Sequence, residues 1–129
     1  MNSYNKGNKI IFDIIIYNSN GNGYKFKCLL DTGSDITFIT NKIFTQLNLK
    51  ETSSGTMIVG NNNKTSIKMS KLNISFINHT KYVSVSAGVI PNKKGFDVIL
   101  GMDIISYCNI KIITTNLGFD FDLELPSCK

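Results

Sequence analysis

The 129-residue chain has the length of one domain, and with 42% hydrophobic and 18% charged residues it is too apolar for a disordered tail and must bury a core. Its formal charge of +5 rests on 14 scattered lysines with no arginine, so it lacks the bidentate guanidinium that reads phosphate and guanine, and a nucleic-acid partner is not favoured. Apolar runs such as Ile14-Ile15-Ile16 and Val98-Ile99-Leu100 are too short to span a membrane, and the polar start Met1 to Asn8 has no apolar signal core, which predicts a cytoplasmic domain away from membranes.

In chain order, Lys9 to Tyr17 is rich in Ile and Phe and predicts a strand. Asn18 to Gly23 supplies residues tolerant of positive φ, and Tyr24 to Leu30 alternates as the partner strand of a hairpin. Ile36 to Thr40 is β-branched and aromatic, and Asn41 is placed to cap a short helix reaching Leu47, with Ile43, Phe44 and Leu47 on one face. Thr56 to Val59 and Thr65 to Met69 predict a second hairpin around the polar tip Gly60-Asn61-Asn62-Asn63-Lys64. Leu72 to Phe76 and Tyr82 to Ile90 add two strands, and Pro91 to Gly95 makes a turn into the apolar strand Phe96 to Leu100. A short helix follows over Met102 to Tyr107, and Asn109 to Thr114 with Phe119 to Leu125 closes the chain as a hairpin. The class is mainly β with one or two short helices, without repeats or a domain boundary.

The three cysteines, at 28, 108 and 128, are odd in number and lack CxxC spacing, so they read as reduced thiols, the first two as small buried hydrophobes and Cys128 in a fraying tail. One histidine, His79, excludes a multi-His metal site and itself reads as a polar strand or turn residue; no metal or cofactor is expected. Catalysis must then rest on carboxylates, thiols, hydroxyls or lysines. Most of the nine acidic residues suit solvated strand or turn positions. Asp31 differs, because it ends the apolar run Cys28-Leu29-Leu30 and enters Thr32-Gly33-Ser34. A carboxylate there needs hydrogen bonds; Thr32 and Ser34 offer hydroxyls, and Gly33 allows close backbone approach. On those residues alone an Asx-type turn and a catalytic acid are equally good readings.

The longer run Leu29-Leu30-Asp31-Thr32-Gly33-Ser34-Asp35-Ile36-Thr37-Phe38-Ile39 resembles the active-site segment of the retropepsin-like aspartic proteases. A second segment, Asp97-Val98-Ile99-Leu100-Gly101-Met102-Asp103, resembles the strand that threads behind their catalytic loop and the short helix after it. Its wording is most similar to proteases of LTR retrotransposons and of Ddi1-like ubiquitin-linked proteins. The resemblance covers residues 9–125, leaving 1–8 as a polar N-terminal arm and 126–129 as a tail. It implies a closed β-barrel, the half-lobe of an acid protease, acting as a homodimer on polypeptide substrates.

Length supports that architecture, since a single Asp-Thr-Gly in so short a chain requires a symmetric second copy to complete a carboxylate pair. By resemblance, Asp31 is the catalytic residue and Thr32, Gly33 and Ser34 support the active-site loop. Ile58, Val59, Gly60 and Asn61 then form the flap over the substrate, and Ile99, Leu100 and Gly101 brace the loop from behind. Asn61 to Asn63 depart from the glycine-rich or Ala-x-Gly tips of relatives and read as loop filler. The final hairpin, with Ile110, Ile112, Phe119 and Phe121, is the expected dimer contact. The rival reading is an inactive member that keeps the fold as a dimerisation or peptide-binding module; the intact Asp31-Thr32-Gly33 favours the enzyme.

Overall fold

The computed structural model describes residues 3–6, 9–77, 81–115 and 118–124, of which 3–6, 59, 110–115 and 118–124 are described by their backbone. The strands are β1 (Ser3–Lys6), β2 (Lys9–Tyr17), β3 (Gly23–Leu30), β4 (Phe38–Thr40), β5 (Ser53–Val59), β6 (Asn63–Phe76), β7 (Val83–Ile90), β8 (Val98–Leu100), β9 (Asn109–Thr115) and β10 (Gly118–Glu124); the helices are α1 (Asn41–Gln46) and α2 (Met102–Ile105). His79 and Cys128 lie outside the described residues, as do the side chains of Ile110, Ile112, Phe119 and Phe121. No helix among the described residues is long and apolar enough to cross a membrane.

Eight strands form one mixed sheet in the order β1-β2-β3-β8-β4-β7-β6-β5, and a further pairing of β2 with β6 closes the six inner strands into a ring. The alternation of β2 explains its central place. Phe12, Ile14 and Ile16 share one side and are fully buried, while the same strand holds β3 through Ile14 opposite Phe26 and β6 through Ile14 opposite Phe76. Inside the ring, Phe12 meets Phe76 edge to face at 6.4 Å, and Ile39, Ile43, Ile74, Val98, Leu100 and Ile104 fill the remaining space. The turn between β2 and β3 is organised by Asn18, whose side-chain oxygen accepts from the Asn20 and Asn22 amides at 3.0 Å each, with Gly21 at φ +81°.

Several sequence expectations change in detail. Ser3–Lys6, within the polar arm, forms β1 and pairs with β2 from Ser3 opposite Phe12 to Lys6 opposite Lys9. The two strands expected over Thr65 to Met69 and Leu72 to Phe76 are one 14-residue strand, β6. Its first half pairs with β5 in solvent and its second half enters the core, the burial changing at Ser70, so a single strand carries both the exposed hairpin and the barrel wall. Ile36 and Thr37 stay outside β4. Asn41 does not cap α1: Thr40 occupies that position without a side-chain bond, and the Lys42 amide is instead satisfied at 2.8 Å by the side chain of Asn92 from the neighbouring turn. Cys28 is buried as expected, whereas Cys108 is half-buried.

Candidate active site

The stretch from Asp31 to Thr37 is a loop between β3 and β4, and β8 runs between those same two strands, parallel to β3 and antiparallel to β4. That insertion follows from composition: Val98 and Leu100 are buried and β-branched or apolar, so the strand is stable only with both edges paired inside the wall. Leu30 lies opposite Leu100, and the chain leaves both strands at the same level. The Asp31 amide donates to the Leu100 carbonyl at 3.1 Å, which fixes the point where the loop begins.

Within the loop, the half-buried Asp31 accepts on its Oδ1 from the Gly33 amide at 3.0 Å, and its carbonyl accepts from the Ser34 amide at 3.2 Å. The bond of an Asx-type turn is therefore present, and it holds one carboxylate oxygen while Thr32 and Gly33 stay exposed beside it. The Ser34 hydroxyl points back into the loop, donating to the Ile36 carbonyl at 2.7 Å. Gly101 passes so close that a Cβ on it would lie 2.2 Å from the Ile36 carbonyl oxygen, which explains a glycine there despite its ordinary extended backbone. Asp31, Thr32, Gly33, Ser34, Leu100 and Gly101 thus converge; Ile99 braces them from within β8, opposite Leu29 and Phe38.

The residues expected to form the flap lie elsewhere, at the tip of the β5–β6 hairpin, whose strand β6 joins the ring through β7 on one side and β2 on the other. Ile58 is 68% exposed there. The tip corrects one reading: Asn61 and Asn62 adopt φ of +64° and +60°, while Gly60 does not have positive φ. The asparagines supply the left-handed turn that asparagine tolerates better than other non-glycine residues, so they are structural and not filler.

Two residues that the sequence left among ordinary strand and helix positions belong to this site. Thr37 is fully buried; its amide and hydroxyl donate to the two carboxylate oxygens of Asp103 at 2.9 and 2.7 Å, and its hydroxyl accepts from the Gly101 amide at 3.1 Å. In the sequence Asp103 falls among the acids that suit solvated strand or turn positions. Only the fold brings its partner from 66 residues away. A wide cleft of about 660 Å³ lies apart from this loop, lined by Lys25, Lys27, Lys42 and Lys93 together with Asp13 and Asp97, and Lys42 and Asp97 approach to 3.8 Å across it.

Comparisons with known proteins agree with this geometry. The family described as "gag-polyprotein putative aspartyl protease" matches residues 18–107, from the β2–β3 turn to the end of α2. Among solved structures, the protease of EIAV in complex with an inhibitor is similar at a TM-score of 0.58 and 22% identity, covering 80% of this chain and 90% of that one. A retropepsin-like aspartic protease from Rickettsia conorii matches at 0.54 and 16%, covering 95% and 97%. The retroviral protease-like domain of Ddi1 from Leishmania major matches at 0.52 and 12%, also covering 95% and 97%. No curated protein sequence matches the chain significantly. With the Asp-Thr-Gly loop seated against a strand threaded between β3 and β4, and a family match over most of its length, the chain belongs to the gag-polyprotein aspartyl protease family and has the retropepsin-like fold.

Proposed function

We propose that the chain is an aspartic endopeptidase whose active site is completed by Asp31 from each of two copies. The observation that carries this reading is the Asp31 loop itself. One carboxylate oxygen is engaged by the Gly33 amide, the neighbouring Thr32 and Gly33 are exposed, and the loop is fastened from behind by β8. A carboxylate buried only for stability would turn inward and saturate its bonds; this one keeps an edge available to a partner.

Two such carboxylates facing each other across a water cannot both ionise, so they hold one proton between them. The ionised one accepts a proton from the water as its oxygen attacks the peptide carbonyl carbon, and the protonated one donates to the carbonyl oxygen. Transfer of a proton to the leaving nitrogen then breaks the C–N bond. In this reading Thr32 bridges the two loops, and Gly33 supports the carboxylate and presents its backbone to substrate. Ile58, Val59, Gly60 and Asn61 supply the covering flap. Because only the singly protonated pair is competent, the rate should fall on both sides of a maximum on the acid side of neutrality.

The second copy is favoured by the end of the chain. Among the described residues, β9 and β10 pair only with each other, from Glu124 opposite Asn109 to Gly118 opposite Thr115. A two-stranded ribbon is marginal in water by itself; β10 lies near β1 of its own chain, and the ladder edges of the ribbon that remain open are ones a symmetry-related ribbon can cover. Digestion of a peptide library at several pH values by the wild type and by Asp31→Asn tests the reading, with sedimentation across a dilution series alongside. Cleavage abolished in Asp31→Asn while fold and dimer persist is the expected result. Undiminished cleavage by that variant, or full specific activity in a monomer, would overturn it, and a wild type that binds peptides without cutting them would leave the binding-module reading in its place.

A further inference from the structure

We propose that Asp103 is a positioning residue for the catalytic loop, acting through Thr37. The inference rests on the aspartic-protease reading above and extends it to a carboxylate outside the Asp-Thr-Gly turn. The loop has two ends to be fixed. Its start is held by the Asp31 amide on the Leu100 carbonyl, at 3.1 Å. Its far end, where residues 34–37 return toward β4, makes no ladder pairs until Phe38.

That far end is gripped by the start of α2. The Met102 amide donates to the Ser34 carbonyl at 2.7 Å and the Asp103 amide to the Asp35 carbonyl at 3.1 Å. The Asp103 carboxylate then takes both donors of Thr37, one on each oxygen, at 2.9 and 2.7 Å. Thr37 in turn accepts from the Gly101 amide at 3.1 Å, so its hydroxyl is used as donor and acceptor at once. Asp103 therefore straddles the loop, grasping residue 35 by its backbone and residue 37 by its side chain. Thr37 is fully buried and makes three bonds within the clasp, whereas the turn it supports is exposed and holds the Asp31 carboxylate by the single Gly33 bond. Asp31 is set between the Leu100 bond and the clasp, and a displacement of about 1 Å at a reacting group can cost a hundredfold in rate.

The experiment uses the full chain and four forms: wild type, Thr37→Val, Thr37→Ser and Asp103→Asn. Thr37→Val keeps shape and removes the hydroxyl; Thr37→Ser restores it. Site-resolved amide exchange is followed at Asp31, Ser34 and Gly101, with β6 and β7 as internal references, and kcat and KM are measured on a peptide taken from the library digest. Thr37→Val and Asp103→Asn are expected to speed exchange at the loop amides about tenfold without changing β6 and β7, and to lower kcat between about tenfold and a hundredfold with KM within about threefold. Thr37→Ser should recover most of both losses, and Thr37→Val combined with Asp103→Asn should lose little more than the worse single variant, as one shared linkage requires. Loop exchange unchanged in both variants would overturn the proposal. So would acceleration spread equally over β6 and β7, which would make the clasp a general fold contact. If the wild type cleaves nothing, the enzyme reading fails by itself, and the exchange measurement still decides whether Asp103 holds the loop.

Discussion

Replacing Gly101 with alanine isolates the contact on which the loop geometry depends. The backbone at Gly101 is extended, φ −99° and ψ −178°, so alanine adopts it without torsional strain and any cost must be steric. The added Cβ would lie 2.2 Å from the Ile36 carbonyl oxygen, 2.4 Å from the Ile36 carbonyl carbon and 2.9 Å from the Ser34 carbonyl oxygen, all backbone atoms that no rotamer change can move. Reaching ordinary contact requires β8 and the loop to separate by more than about 1 Å. That movement stretches the Met102 to Ser34 bond of 2.7 Å and the Gly101 to Thr37 bond of 3.1 Å beyond useful length. Overpacking of about 1–3 kcal/mol and two weakened buried bonds at about 1 kcal/mol each give a loss of roughly 3–5 kcal/mol, a large part of the stability of a domain this size. Urea unfolding at one fixed protein concentration measures it, the midpoint falling by about 1–5 M for slopes of about 1–3 kcal/mol/M. Gly60→Ala, where the new Cβ meets nothing within 4 Å, is the control and should stay within about 0.5 kcal/mol of wild type. A folded Gly101→Ala protein within that same margin would refute the close-approach argument.

Phe76→Ala, which empties a fully buried ring position beside Phe12, should cost about 3–5 kcal/mol in the same urea assay. At the tip of the β5–β6 hairpin, Asn62→Gly should be tolerated, whereas Asn62→Val, forced to φ near +60°, should lose about 1–2 kcal/mol. Burial raises the Cys108 thiol to about 11 from an ordinary value of 9.0, so peptide-resolved alkylation at pH 8 should label it far more slowly than a free thiol. Because the folded value is the higher one, the folded chain binds the extra proton between pH 9 and 11; stability should therefore be complete below pH 9 and decline through that window, a slope that Cys108→Ala should reduce.

The parts of the fold legible in the sequence were those governed by local pattern. Lys9 to Tyr17 announces β2 to the residue because its Ile and Phe positions leave no helical face, and the Asn18 to Gly23 turn follows from residues that accept positive φ. Asp31 stood out because an acid after Cys28-Leu29-Leu30 has nowhere apolar to go. What the pattern could not carry was pairing over distance. Ser70 and Lys71 look like a break because they are polar, yet β6 runs through them, since β7 supplies the ladder partners Ala87 and Ser86 on that side. Asn41 looks like a helix cap by type, but the exposed amide is met by Asn92, brought in by a turn 50 residues later. Ser3–Lys6 has too little apolar character to announce a strand and becomes one because β2 offers an edge.

Under the proposed function, the same division of labour bears on how each copy would carry its half of the site. Within the chain, the Asp31 loop is set by Leu100 at the start, Gly33 on the carboxylate, and Gly101, Met102 and Asp103 at the return. The segments left over for a second copy, β1 and the β9–β10 ribbon, lie outside the closed ring and contribute none of those bonds. Under the proposed function, association would bring together two loops that each carry these bonds, and would supply the facing carboxylate. Preorganised groups need no reorganisation at the moment of reaction. It follows that a substitution in β9 or β10 that weakens association should lower activity in proportion to the dimer remaining, with the rate per dimer unchanged, whereas a change at Thr37 or Asp103 should lower the rate per dimer at every concentration. A β10 variant whose rate per dimer also falls would place part of the loop's order in the interface and remove the basis for this separation.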